Sequence, residues 1–381
     1  MKILLISPYH GGSHQAWAEG FAGFSRHQIE LLSLPARYWK WRMHGGAVTL
    51  AREYRTRNLS PDVLLVTDML DLATFLALTR SRTHHLKVML YMHENQLTYP
   101  LSRQPGKGAM RRQRGERDLH YAFINYSSML NADRIAFNSH FHRKDLFENL
   151  PRFLGHFPEF RELTSVGTLR QRSTVLSVGI NWENLRKKIE MAVSRAAEVP
   201  LILWNQRWEY DKNMGEFLSA LSTIAAEGLL FEVALCGQAF QNQSEEFRSE
   251  IDRLGRRVVH LGFADETLYH ELLTKAEITV STAFHEFFGI SIVEAMTCRV
   301  FPILPTRLSY PELIPERFHS RCLYSSRQSL LELLRSAIND RGSTVGLAEE
   351  LSECMKVYDW EQVAPAYDRV LDEVANEESD C

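Results

Sequence analysis

The sequence predicts an α/β protein built as two Rossmann-like domains facing one another across a cleft. Three observations predict it. Apolar runs of strand length alternate with helix-length segments along the chain, the pattern of a doubly wound parallel sheet. The runs fall into two series divided by a helix-rich connection, Asn181 to Glu198. Polar clusters follow the strand runs directly, at the carboxyl ends where open parallel sheets bind ligands. With 381 residues, 45% hydrophobic and 24% charged, the chain has globular composition and the length for two sizeable cores. The expected domains are 1–180, 181–358, and a C-terminal helix and acidic tail over 359–381, the helix crossing back to the first domain.

The first series opens with Lys2 to Ser7, a buried parallel strand, then His10-Gly11-Gly12-Ser13-His14 and an amphipathic stretch from Gln15 to Phe24. This is strand, glycine loop, helix. Tandem glycines let the backbone approach a ligand, but neither G-x-G-x-x-G nor G-x-x-x-x-G-K-[ST] occurs. Further strands are expected at Val63 to Val66, Val88 to Met92, Arg134 to Phe137 and Thr174 to Val178. The second series comprises Pro200 to Trp204, Phe231 to Leu235, Val258 to His260, Ile278 to Val280 and Val300 to Ile303. Three clusters stand at strand ends: His93-Glu94-Asn95-Gln96, Asn138-Ser139-His140, and Asn205 through Lys212. Arg207 and Lys212 in the last of these put two cations on one loop, a pattern suited to neutralising a diphosphate leaving group. Either residue alone would read as a solvated loop charge.

The stretch Ala283 to Ala295 carries the densest chemistry. Ile278 to Thr282 leads in as a strand and Ile290 to Cys298 leads out as a helix, so Gly289 falls at the turn into that helix. Free N–H groups and the positive dipole end then face a docked phosphate. Glu294 lies about one turn inside an apolar helix, where a carboxylate is costly unless hydrogen-bonded, and sugar hydroxyls are good donors to it. Glu286 sits in the preceding loop and can reach a second part of the same ligand. A bare Glu pair at this spacing is more often a buried helix whose Glu meets an Arg; the glycine and the strand entry tip the reading towards a ligand.

Composition excludes several classes. The first apolar run, Ile3 to Ile6, is too short for a signal-peptide core, and no segment approaches an uncharged membrane span, so a soluble, cytoplasmic protein is expected. Five cysteines without a C-x-x-C pair imply neither a disulfide framework nor a zinc ribbon. His93-Glu94 and His285-Glu286 lack the second His of H-E-x-x-H, and no Asp-x-Asp occurs, so no metal is expected. The net charge of −3 conceals +9 through residue 170 and −12 beyond it. The basic half is concentrated in Arg103, Lys107, Arg111, Arg112, Arg114 and Arg117, on a Pro- and Gly-containing stretch read as a mobile loop.

Arg207 and Lys212 with the Glu286/Glu294 pair resemble the sugar-nucleotide site of retaining glycosyltransferases of the GT-B fold, family 4-like and related to glycogen and sucrose synthases. His93 to Pro100, Arg207 to Lys212 and Ser281 to Gly289 resemble signatures of the tRNA-queuosine alpha-mannosyltransferases, as do Gly11 to His14, Pro35 to Arg42 and Glu116-Arg117-Asp118. These matches run from residue 4 to about residue 312. A long insertion that animal-type members carry before the second domain is missing.

The resemblance implies an acceptor-binding first domain and a nucleotide-sugar-binding second domain. It implies retaining, metal-independent transfer of mannose from GDP-mannose to the cyclopentene-diol of queuosine at the wobble position of tRNA-Asp. Arg207 and Lys212 would hold the diphosphate, Glu294 the ribose and Glu286 the sugar hydroxyls, with Phe288 and Gly289 beside them. His93 would lie against the reacting face of the sugar, and Gly11 and Gly12 would let the first domain close over the phosphates. For the RNA, Arg37, Lys40, Arg42, Lys107, Arg111, Arg112, Arg114 and Arg117 are the candidates. Two other readings stay open: transfer to a lipid-linked or cell-surface glycan precursor, with Trp39, Trp41 and their neighbouring cations as a membrane patch, and a non-catalytic nucleotide-binding module. The oligomeric state is not legible.

Overall fold

Strands covered by helices on both faces need apolar side chains at every position rather than at alternate ones, and the central strands here have them. All five residues of Val63–Thr67 are buried, as are those of Phe301–Pro305. In the computed structural model the described residues are 1–100, 119–190, 198–237 and 245–377. The chain divides into two compact units: residues 1–180 with the C-terminal segment from Trp360, and Asn181–Asp359.

In the first unit the elements run β1 (Lys2–His10), α1 (Gly12–Phe24), β2 (Gln28–Pro35), α2 (Trp39–Thr56), β3 (Val63–Thr67), α3 (Leu72–Thr83), β4 (Lys87–Met92), α4 (Leu119–Leu130), β5 (Arg134–Phe137), α5 (His140–Leu154), α6 (Ser165–Gln171) and β6 (Ser173–Val175). The second unit continues α7 (Trp182–Glu190), β7 (Leu201–Asn205), α8 (Met214–Ala226), β8 (Glu232–Cys236), α9 (Glu245–Leu254), β9 (Val258–Gly262), α10 (Glu266–Lys275), β10 (Ile278–Val280), α11 (Ile290–Thr297), β11 (Phe301–Pro305), α12 (Tyr310–Leu313), α13 (His319–Cys322), β12 (Leu323–Tyr324), α14 (Arg327–Asn339) and α15 (Arg341–Cys354). The last helix, α16 (Trp360–Asn376), belongs to the first unit.

Each unit holds a six-stranded sheet, ordered β2-β1-β3-β4-β5-β6 and β12-β11-β10-β7-β8-β9. The recorded pairings are all parallel. Strand order reverses between β1 and β3 in the first sheet and between β7 and β10 in the second. These are the points where crossovers leave on opposite sides and a crevice opens beyond the strand ends.

The α/β reading holds, with corrections at its edges. The strand β2 was not anticipated, because Gln28 and Glu30 break its apolar pattern at an edge where only Leu32 and Leu34 are buried. The two-residue β12 is too short to leave a periodic signal. The expected five-residue glycine loop shrinks to Gly11, since β1 extends to His10 and α1 starts at Gly12. A Cβ on Gly11 would stand 2.5 Å from the Ala36 Cβ, so packing already requires that glycine.

The last helix is seated first by Trp360. The Trp360 indole lies where a Cβ at Gly20 or Gly179 would come within 2.2 and 2.3 Å of it, and its backbone N–H donates to the Ile180 carbonyl at 2.9 Å. Further along, the Trp17 indole N–H donates to the Tyr367 hydroxyl at 3.0 Å, and Asp368 accepts from Ser25 and from the Arg26 N–H. Trp360, Ala364, Tyr367, Leu371 and Val374 form a buried stripe at helical spacing.

Candidate active site

The loops after β7 and β10 stand side by side because these strands are neighbours at the reversal point of the second sheet. After Asn205 the chain makes a single 3-10 turn, Tyr210–Lys212, then passes through Asn213 in the left-handed region at φ 54° before α8. After Val280 it runs through Ser281 to Gly289. Two hydrogen bonds stitch the loops: the Phe284 N–H donates to the Asp211 carbonyl at 2.7 Å, and the Thr282 hydroxyl donates to the Asn213 carbonyl at 2.8 Å.

Lys212 is the centre of this arrangement. It is 5% exposed, and its ammonium donates to the His285 carbonyl at 2.8 Å and to Glu286 Oε2 at 3.1 Å, with Asp211 Oδ2 also at 3.1 Å. Burial alone would push its pKa down, but Glu286 and Asp211 more than offset this and hold it above the ordinary lysine value. Burial likewise works against the Glu286 carboxylate, yet Lys212 holds its pKa below the usual range, assisted by a bond from the Phe288 N–H. Glu286 Oε1 accepts from the Phe287 and Phe288 N–H groups at 3.1 and 3.4 Å. Both partners are therefore charged at neutral pH and locked together, and breaking such a pair costs far more than its net stabilisation. Burial, then the Lys212 charge, depress His285 to about 4, so its imidazole is neutral.

Gly289 caps α11 at φ 95°, a left-handed conformation that favours glycine, with the Tyr310 ring 3.3 Å from where a Cβ would be. The first N–H groups of α11 carry the positive end of its dipole. Further into α11, Glu294 Oε2 accepts from the Tyr269 hydroxyl at 3.0 Å. Asn205 Nδ2 donates to that hydroxyl at 3.2 Å and to the Ser291 carbonyl at 2.7 Å. Burial raises Glu294 to about 7, partly opposed by the Tyr269 bond.

Of the residues singled out from the sequence, Lys212, Glu286 and Phe288 form one hydrogen-bonded cluster, Gly289 follows Phe288 at the cap of α11, and Glu294 stands on that helix. Arg207 differs from Lys212 rather than duplicating it. Its side chain is half exposed and lies 3.4 Å from Glu209. Two participants carry no sequence signal: Tyr269 comes from α10, and Asp211 reads as an ordinary loop acid.

Gly11, Gly12, His93, Arg37, Lys40 and Arg42 belong to the first unit. His93 ends β4. Its N–H donates to Asp68 Oδ1 at 3.0 Å, its carbonyl accepts from Asn138 Nδ2 at 2.9 Å, and its ring lies 4.2 Å from His14, 4.7 Å from Trp17 and 4.8 Å from Tyr91 between centroids. Burial, then the neighbouring His14 and His142, hold its pKa well below the ordinary histidine value. Burial and then Glu94 raise the Asp68 pKa well above its ordinary value. Asp68 was not anticipated; it follows an apolar strand as a single polar residue.

Arg37, Lys40 and Arg42 cluster at the start of α2, whereas Lys107, Arg111, Arg112, Arg114 and Arg117 lie outside the described residues. Among the described residues no group of three or more His, Cys, Asp or Glu could hold a metal ion, and no helix is long and apolar enough to cross a membrane.

Two parallel doubly wound sheets, with an ion-paired loop cluster and a helix start at the reversal point of the second, define a glycosyltransferase of the GT-B fold. Solved structures of that fold match nearly the whole chain. Sucrose-phosphate synthase from Thermosynechococcus elongatus superposes with a TM-score of 0.71 at 13% identity, covering 98% of this chain and 99% of that one. Anabaena HepE in complex with UDP gives 0.68 at 15% identity, covering 98% and 100%. Within this class the chain belongs to the tRNA-queuosine alpha-mannosyltransferase family. Residues 2–180 match the N-terminal domain of tRNA-queuosine alpha-mannosyltransferases and residues 186–356 match glycosyl transferases group 1. The tRNA-queuosine alpha-mannosyltransferase of Drosophila melanogaster is 32% identical over 338 residues, 87% of this chain and 85% of that protein.

Proposed function

We propose that the protein transfers mannose from GDP-mannose, with retention and without a metal ion, to the cyclopentene-diol of queuosine in the wobble position of tRNA-Asp, in the cytoplasm. In this reading the C1–O bond between mannose and diphosphate breaks, the electron pair goes to the β-phosphate, and a queuosine hydroxyl bonds to C1 as its proton leaves. The negative charge that collects on the phosphate needs a positive environment fixed in advance. The ion pair between buried Lys212 and part-buried Glu286, just ahead of α11, is the observation that carries this reading. Lys212 is held by two carboxylates and a carbonyl, so it enters the reaction already oriented, while the half-exposed Arg207 is the second cation on the same loop. Glu294 would accept from the ribose hydroxyls and Glu286 from those of the sugar. His93, being neutral, would act as a hydrogen-bond partner to the sugar and not as a cation. Family membership supports the acceptor.

Offering a panel of sugar nucleotides with queuosine-containing and queuosine-lacking tRNA, and following transfer by mass spectrometry, tests the reading. A hexose increment only on queuosine-containing tRNA, greatest with GDP-mannose and unchanged in EDTA, is expected. Transfer to both tRNAs alike, to neither, or only with added Mg²⁺ or Mn²⁺ would overturn it.

A further inference from the structure

The first turn of α2 is built at some cost to itself, and each cost presents an aromatic ring to solvent. Tyr38 occupies the N-cap in the left-handed region at φ 52° and supplies no capping side chain, where Ser, Thr, Asp or Asn would stabilise the helix. Its ring is 81% exposed and that of Trp41 is 64% exposed. Trp41 lies on Gly45: a Cβ there would come within 2.6 Å of the indole, so only glycine lets the ring rest flat against the helix. A glycine in a helix interior is unfavourable relative to alanine, and here its return is the seating of one face of Trp41 while the residue stays largely exposed.

Cations surround this surface. Arg37 and Lys40 are exposed, and the Lys40 ammonium lies 5.5 Å from the Trp39 ring and 5.8 Å from that of Tyr121. Arg42 Nε donates to the Pro35 carbonyl at 3.1 Å, fixing the corner between β2 and α2. His44 stacks on His120 at 4.5 Å and meets the Tyr121 ring at 5.2 Å. Rigid exposed rings interleaved with positive charge are complementary to an unpaired nucleobase and its phosphates.

We propose that Tyr38 and Trp41 form a stacking platform for an unpaired nucleobase of the tRNA, with Arg37 and Lys40 meeting the adjoining phosphates; this rests on the tRNA acceptor argued above. The platform reads no sequence. It holds the loop by the π-face that every base has, and leaves recognition of the modified base to the reaction site.

The test is the affinity of labelled tRNA for wild type, Trp41→Ala and Gly45→Ala, across a salt series. Trp41→Ala is expected to weaken binding roughly tenfold without changing the slope against log salt, because a ring and not a charge is removed. Gly45→Ala is expected to weaken it similarly while the melting temperature holds or rises, since alanine favours the helix and only displaces the ring. Both losses should vanish on a fully paired RNA duplex. Unchanged affinity in both variants, from a wild type that binds tRNA and transfers mannose to it, overturns the platform alone. A wild type that binds no tRNA overturns the functional reading and the platform together. Flotation with phosphatidylcholine–phosphatidylserine vesicles that Trp41→Ala abolishes, with tRNA affinity intact, overturns it in favour of a membrane.

Discussion

Beyond β7 and β10 the second unit gathers formal charges and pairs them: Lys212 with Glu286 and Asp211, all within 3.1 Å. Beyond β3 and β4 the first unit gathers titratable groups whose charged forms burial disfavours: the Asp68 pKa is raised and the His93 pKa lowered. The same kind of place, the carboxyl ends of neighbouring strands in a parallel sheet, thus supports two electrostatic designs. Paired charges preorganise a field for a leaving phosphate. Neutral donors and acceptors suit a hydroxyl-bearing sugar or diol, with no ion to desolvate.

Isolating Lys212 should break the comparison most severely. Lys212→Ala leaves Asp211 and Glu286 buried beside each other, which is expected to lower folding stability by roughly 3–5 kcal/mol and turnover by about a hundredfold or more. Denaturant titration and single-turnover kinetics measure both, and a variant with the wild-type midpoint would show the pair to be incidental.

Isosteric amides sharpen the contrast. Glu286→Gln should cost about 1.5–3 kcal/mol, the range for a bond to a charged group. Asp68→Asn should be close to neutral or stabilising at pH 7. Because the folded pKa of Asp68 is raised, its contribution is fully present below the unfolded carboxylate pKa and is lost as pH rises through the folded one. Asn removes that loss, so stability measured against pH should be flatter in the variant. Equal losses in the two amide variants would erase the distinction between the units.

Glu294 offers a functional titration. At about 7 its pKa places the loss of its charge within the working range, so donor affinity should fall as pH drops through that value. Tyr269→Phe removes the bond that opposes burial and is expected to move this limb upward by roughly one pH unit, since a unit is about 1.4 kcal/mol and a bond to a charged group is worth that or more. An unmoved limb would detach Tyr269 from the site. Smallest of all, Arg207→Ala should change stability by no more than about 0.5 kcal/mol, as for an exposed pair. Its effect belongs in the rate.

Much of this was legible in the chain. Continuous apolar runs marked the central strands, and Gly289 between a strand and an apolar helix marked the turn that its φ of 95° confirms. Edge and minimal strands escaped, because half-exposed β2 mixes Gln28 and Glu30 with its leucines and β12 has two residues. In the site, the loop residues after β7 and β10 could be named, but their inequality could not. Nothing in R-W-E-Y-D-K says that Lys212 turns inward to Asp211 and Glu286 while Arg207 stays half exposed. Tyr269 reaches Glu294 from a position 25 residues earlier, a pairing that the packing of α10 against β7 creates.

Whether the second unit takes the sugar nucleotide is decided by the Kd of GDP-mannose and of queuosine-containing tRNA for Glu294→Gln, measured side by side with wild type at pH 8. GDP-mannose binding is expected to weaken roughly tenfold, the loss of one charged hydrogen bond, with tRNA affinity unchanged. Unchanged GDP-mannose affinity, or an equal weakening of both ligands, would contradict that role.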